Sequence, residues 1–338
     1  MATIKDVASL AGVSTSTVSF VLNGKAKEMK VSDITAQKVM EAAAKLEYKP
    51  SNTARKLRSS TKERPTIALY WPMDHRISYA SLILDSIRTE VNRQELDCDL
   101  VIRGYRNDYL CEQKELLDQS NYNVAIIGAT SAKDSEYIES LSPVLPLILF
   151  NRSSRQFSSV LAEEETAIRD AVSLISDKGI RKVALFRGNH SYTAYDRRME
   201  ILRNTLDEYN ILLPEEFDFQ IEDRYESGAS AARRMLQMES RPELLIAMTE
   251  TISLGATYIF EREGIQIPEE LKILSFAIGD PNITKFCTPS LSVIEMSTID
   301  MAEHAAAMAI HRIRTGLSAA PESHQSRNRL ILRESCPE

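Results

Sequence analysis

Within the run GVSTSTVSFVLN, Thr15, Ser16, Ser19 and Phe20 bring three hydroxyls and one flat ring to the same short segment. If the segment is a helix, roughly 100° per residue separates Ser16, Phe20 and Asn23 from the stripe of Val18, Val21 and Leu22. Ser19 then falls at the edge of that stripe and Thr15 near the helix start. Small polar groups on an exposed helical face suit hydrogen bonding to base edges in a DNA major groove. Catalytic chemistry has little support by comparison. His75, His190, His304, His311 and His324 lack metal-ligand spacing, and no HExxH, GxSxG or phosphate-loop pattern occurs. Cys98, Cys111, Cys287 and Cys336 form no CxxC, so neither a zinc site nor a disulfide framework is expected.

The elements needed to hold those groups are legible around them. Ile4, Val7, Ala8 and Ala11 share one helical face, with Thr3 as the cap and Asp6 three residues after it. Gly12 is suited to stop that first helix in a left-handed conformation, and Ser14 to cap the second. A third helix, capped near Ser32, presents Val39, Ala43 and Leu46, which gives enough apolar faces for a three-helix core. Charge follows the same division. Residues 1–60 hold ten Lys and Arg against five Asp and Glu, a net +5, which leaves −12 for the rest of a chain whose total is −7. A basic head on an acidic body points to phosphate contacts at one end.

The segments IKDVASLAGVSTSTVSFVLN and VSDITAQKVMEAAAKLEYKPSNTARKLR resemble the head of the LacI/GalR family of bacterial transcription regulators. Asp6, Val7, Ala8, Ala11, Gly12, Val13, Ser14, Thr17, Val18, Ser19, Val21, Leu22 and Asn23 all fit the family pattern. The resemblance implies base contacts by Thr15, Ser16 and Phe20, with Ser19 beside them, and backbone contacts that include Thr3, Ser14 and Asn23. Relatives commonly carry Arg where this chain has Phe20. Arg binds guanine bidentately and Phe cannot, so Phe20 either meets a thymine methyl or serves packing alone. Residues 50–64 are similar to the family's hinge helix and linker. There Asn52 caps a short turn, Ala54 and Leu57 share a face, and Arg55 supplies charge. Leu57 matches the family leucine that wedges into the minor groove, or it packs the paired hinges, or both.

For the body, the resemblance implies an α/β fold. Its plan is an N-terminal three-helix helix-turn-helix head over 1–49, then the hinge helix, then a bilobed, periplasmic-binding-protein-like body of two parallel α/β subdomains over 65–338. Apolar runs at 67–71, 100–102, 124–128 and 147–150, and again at 182–186, 244–248 and 272–276, read as buried parallel strands separated by helices. The expected lobes are 65–161 with 292–322, and 162–291 with 323–338. An effector is expected in the cleft between them, at the carboxyl ends of the strands. Family positions carried over one by one give Trp71 and the loop to Arg76, Asn151, Arg152 and Arg197, with Tyr192 and Thr249 as lesser candidates. Arg197 is either the effector-binding arginine or part of an interlobe salt bridge. Several positions depart from the family. Ser275, Phe276, Ala277 and Ile278 stand where a carboxylate usually grips a sugar hydroxyl, Thr249 and Glu250 replace an Asn-Asp pair, and Glu200 replaces a glycine.

The reading is therefore a cytoplasmic, homodimeric, operator-binding regulator, most often a repressor in this family, with a small polar effector such as a sugar, no cofactor and no metal. Two alternatives stay open: control by a protein partner, and a ligand-binding protein whose head no longer reads sequence. No signal peptide and no membrane-length apolar run is apparent, and no heptad tail suggests a coiled coil.

Overall fold

A computed structural model describes residues 4–22, 26, 29–46, 64–113, 116, 122–142, 145–189, 192–316 and 320–338. Thr3, Asn23 and the hinge residues Asn52, Ala54, Arg55 and Leu57 lie outside the described residues. Two compact units divide between Arg64 and Pro65.

The first unit holds α1 (Ile4–Ala11), α2 (Thr15–Leu22) and α3 (Asp33–Lys45). Gly12 ends α1 at a φ of 65°, which a glycine adopts without side-chain strain. The Ser14 hydroxyl accepts the Thr17 amide at 3.1 Å and Ser32 accepts that of Thr35 at 3.2 Å, so α2 and α3 each begin with an orphan donor satisfied. Val7, Ala8, Val18, Val21, Val39, Ala42 and Ala43 form the buried core of the three helices. The stripe expected from periodicity is the one that packs.

The second unit contains two six-stranded sheets. The first is built from β1 (Thr66–Pro72), β2 (Asp99–Tyr105), β3 (Val124–Gly128), β4 (Leu147–Phe150), β5 (Ser158–Glu163) and β11 (Ser323–Arg327), in the order β11-β5-β4-β3-β1-β2, all parallel. Packed with it are α4 (Ala80–Arg93), α5 (Ala132–Glu139) and the long α11 (Thr298–Thr315). The second sheet has β6 (Val183–Gly188), β7 (Asp218–Ile221), β8 (Leu244–Ala247), β9 (Lys272–Ala277), β10 (Ser292–Glu295) and β12 (Arg329–Ile331), in the order β12-β10-β9-β8-β6-β7. Only β12 runs antiparallel in it. Its helices are α6 (Glu165–Asp177), α7 (Thr193–Glu208), α8 (Tyr225–Leu236), α9 (Glu250–Arg262) and the short α10 (Pro281–Lys285).

The pairings move the expected lobe boundaries. Ser292 lies beside Leu274, which puts 292–295 in the second lobe, and Ser323 lies beside Ser159, which puts 323–327 in the first. The chain therefore crosses between lobes after Glu163, after Glu295 and after Arg327. The last two crossings are tied together, because the Asn328 side-chain oxygen accepts the Ser297 amide at 3.0 Å. One buried cluster runs through both lobes, from Ile67 and Trp71 through Tyr195 to Phe276 and Met301.

Candidate functional site

In the head, Ser16 is exposed and Thr15, Ser19 and Phe20 are half-buried, while the neighbouring Val18 is fully buried. Among the described residues, Phe20 is not one of the hydrophobic side chains packed on the head's core. The α2 face opposite Val18 thus offers hydroxyls and a ring. Ser14 caps the helix rather than standing apart from it.

In the body, the carboxyl ends of parallel strands from both sheets open on one cleft with a cavity volume of about 70 Å³. Trp71 arrives at the end of β1, and its indole N–H donates to the Arg76 carbonyl at 2.8 Å. Asp74 caps the short turn His75–Tyr79 by accepting the Arg76 amide, and the same carboxylate holds the Arg76 side chain. Past β4, Asn151 takes a left-handed conformation with a φ of 54°, its side-chain oxygen accepts the Ala162 amide, and Arg152 follows into the wall. Tyr192, Ala194 and Arg198 come from the start of α7, and Met296, Thr298 and Met301 from the second crossing and α11.

Of the residues expected at an effector site, Trp71, Asn151, Arg152 and Tyr192 line this cleft, as does Arg76 at the end of the expected loop. Thr249 does not; its hydroxyl caps α9 and donates to Asp223 at 2.6 Å. Arg197 does not line the cleft either: it is exposed on α7, and Arg198, only 3% exposed, is the α7 arginine in the cleft wall beside Arg76 and Arg152. Helical spacing held the signal: Tyr195, Arg198, Leu202 and Leu206 fall on one buried face, and Arg197 is turned roughly 100° from Arg198. Tyr79, Phe150, Ile278, Met296 and Met301 were also missed, because they come from segments whose convergence only the fold reveals.

The three arginines differ in their compensation. Arg76, 5% exposed, is paired with Asp74 and also donates to the Ala129 carbonyl and Asn107. Arg198 donates to both Glu164 oxygens, at 2.7 and 3.0 Å, but its Nη1 has no hydrogen-bond partner among the described residues. Arg152, 7% exposed, donates among the described residues only to carbonyl oxygens, those of Thr130 at 3.1 and 2.6 Å and Asn151 at 2.6 Å. Burial, with Arg76 and Arg198 nearby, pushes it down to about 10, so it stays charged at neutral pH. The Tyr192 ring lies 5.2 Å from the Arg76 guanidinium carbon and 6.0 Å from that of Arg152, within cation–π range. Burial raises Tyr192 above its ordinary value and keeps its phenol neutral. The Glu250 carboxyl is raised as well, chiefly by burial, and accepts the Ile278 and Gly279 amides at 2.9 and 2.7 Å.

The head and the first residues of the chain match a model of the bacterial regulatory proteins of the lacI family over residues 3–51, and residues 172–336 match a periplasmic binding protein-like domain. The chain thus carries a lacI-family helix-turn-helix domain and a periplasmic-binding-protein-like domain. Among curated LacI-family relatives, the ribose operon repressor of Haemophilus influenzae is 27% identical over 93% of this chain and 92% of its own length. The repressor PurR of Vibrio cholerae is 24% identical over 93% and 92%. A LacI-family transcription regulator from Clostridium acetobutylicum superposes with a TM-score of 0.76 at 27% identity, covering 80% of this chain and all of the other. A lac repressor dimer bound to operator and an anti-inducer gives 0.69 at 20% identity, over 100% and 99%.

One constellation falls outside both sites. Asp300 and His304 on α11 meet His324 on β11, with the two imidazoles stacked at 3.4 Å and each within 3.5 Å of an Asp300 oxygen. The remainder of α11 and residues 316–322 separate His304 from His324 in sequence, so the pair is not legible as a cluster there. No disulfide joins Cys98, Cys111, Cys287 and Cys336. No helix among the described residues is long and apolar enough to cross a membrane.

Proposed function

We propose that the protein is a sequence-specific DNA-binding transcriptional repressor that binds a palindromic operator as a homodimer and is switched by a small molecule in the body cleft. The observation that carries the reading is α2, where Ser16 is exposed and Phe20 lies outside the head's core, on a helix that matches the family's reading helix. Thr15, Ser16, Ser19 and Phe20 would contact bases, and Ser14 the backbone. Thr3, Asn23, Asn52, Ala54, Arg55 and Leu57 are assigned to the backbone and hinge from the sequence resemblance alone. Trp71, Asn151, Arg152, Tyr192 and Arg198 would contact the effector, with Arg198 in the place first given to Arg197. Turnover of candidate sugars is expected to be undetectable.

A second reading, a ligand-binding protein whose head has lost sequence preference, is favoured by Phe20 standing where relatives carry Arg. Selection of bound duplexes from a random pool separates the two. Enrichment of a palindromic motif, with affinity falling steeply with salt, is expected of the repressor. No enriched motif and a shallow salt slope would favour the second reading.

A further inference from the structure

Among the described residues, the acidic side chains around the cleft are already engaged. Asp74 holds Arg76, Glu164 holds Arg198, Glu250 accepts two backbone amides, and Asp223 accepts from Thr249. Arg76 and Arg198 are thereby neutralised by partners, whereas Arg152 is buried with carbonyl oxygens only. Taking a cation out of water without an anion costs several kcal/mol by order of magnitude, and a fold that keeps one in a cleft leaves a place for a countercharge. The unpartnered Nη1 of Arg198, a side chain 97% buried in the same wall, is a second donor without an acceptor. Most of the remaining lining is apolar or aromatic: Trp71, Phe150, Ile83, Ile278, Met296 and Met301. The hydroxyl of Thr298 is spent on the Ile278 carbonyl, and the side-chain oxygen of Asn151 on the Ala162 amide. Besides the arginines, the polar side chains of the lining are those of Asn151, Thr298, Tyr79 and Tyr192, and none of them is charged at neutral pH.

We infer that the effector is a small organic monoanion of the carboxylate class, its carboxylate set between Arg152 and Arg198 Nη1 and its ring or apolar body against Trp71 and Phe150. The inference rests on the reading of this cleft as the effector site. One uncompensated cation matches one negative charge, which is why a carboxylate is preferred to a phosphate dianion. Guanidinium donors to a carboxylate are charge-assisted and roughly twice as strong as neutral bonds.

Matched acid and amide pairs test the charge without changing the shape. Glucuronate against glucuronamide, and 4-hydroxybenzoate against 4-hydroxybenzamide, are titrated calorimetrically into the full chain, with glucose, glucose 6-phosphate, nucleobases and amino acids as further probes. At least one acid is expected to bind about tenfold tighter than its amide. The preference should vanish in Arg152→Gln and persist, weakened, in Arg152→Lys, which keeps the charge and remains informative if the glutamine variant fails to fold. An amide or neutral sugar binding as well as every acid would overturn the carboxylate assignment and leave the effector site standing, and so would a phosphate ester that outbinds every carboxylate. A preference that survives Arg152→Gln would overturn it too. Binding by no probe of any kind would remove the small-molecule reading of the cleft together with this inference.

Discussion

Arg198 in the wall of the cleft is held by Glu164, the first residue past the crossing from one sheet to the other, through a two-point pair with both side chains 3% exposed. Glu164 stands at the start of α6 and makes no capping bond there, because its carboxylate is committed to Arg198. A ligand that engages Nη1 therefore acts on a group anchored at the chain's passage between lobes.

Removing the carboxylate from that pair should be costly. Glu164→Ala leaves a buried guanidinium without a counterion and is expected to lower stability by about 3–5 kcal/mol, with Glu164→Gln losing less because an amide oxygen still accepts. Urea unfolding measures both. A loss below about 1 kcal/mol for the alanine variant would mean that water reaches Arg198 and that the pair is not the anchor described.

The Asp74 pair with Arg76 gives a pH signature. Burial alone would raise Asp74, but the hydrogen bonds and charge of Arg76 outweigh it and hold the carboxyl below its ordinary value. A depressed folded value contributes stability that is present above the unfolded aspartate range and is lost as pH falls through the folded value. The melting temperature of the protein should exceed that of Asp74→Asn near neutral pH, and the gap should close on acidification below the ordinary aspartate range. A gap that widens on acidification would contradict the sign.

In the head, the roles of two neighbouring residues should separate. Val18 is fully buried between the three helices, so Val18→Ala should cost about 2 kcal/mol through lost burial and a residual cavity. Phe20→Ala should change stability by less than about 1 kcal/mol, since the ring is outside that core, yet weaken or relax operator recognition. Equal stability losses for both, with unchanged DNA binding by the Phe20 variant, would place Phe20 in packing.

Helix caps give a smaller prediction. Ser32→Ala removes the acceptor for the Thr35 amide and should cost about 1 kcal/mol, read from the thermal midpoint of the head's transition. No change would indicate that water replaces the cap.

Much of this was legible because local physics sufficed. The Val18 and Val21 stripe, the stop at Gly12 and the cap at Ser32 depend on neighbours within a few residues, and the runs at 124–128 and 147–150 are apolar because both faces of β3 and β4 are buried. β11, with the sequence SHQSR, carries no apolar run because it is an edge strand paired on one side only, and it escaped notice. The lobe boundaries near 292 and 323 were misplaced because the pairings of Ser292 and Ser323 reach residues far away in sequence. The family pattern points by position to Arg197, whereas the phase of α7 turns Arg198 inward. Glu164 gave no sequence signal at all, since its partner lies 34 residues away.

If the head and the body cleft form one switch, linkage measures it directly. The duplex enriched from the random pool is titrated with the full chain by fluorescence anisotropy, with and without a saturating amount of the acid that binds best. The expected result is an affinity change of about fivefold or more in either direction, abolished by Arg198→Ala while the variant still binds the duplex. An unchanged operator affinity at demonstrated saturation of the cleft would contradict the switch.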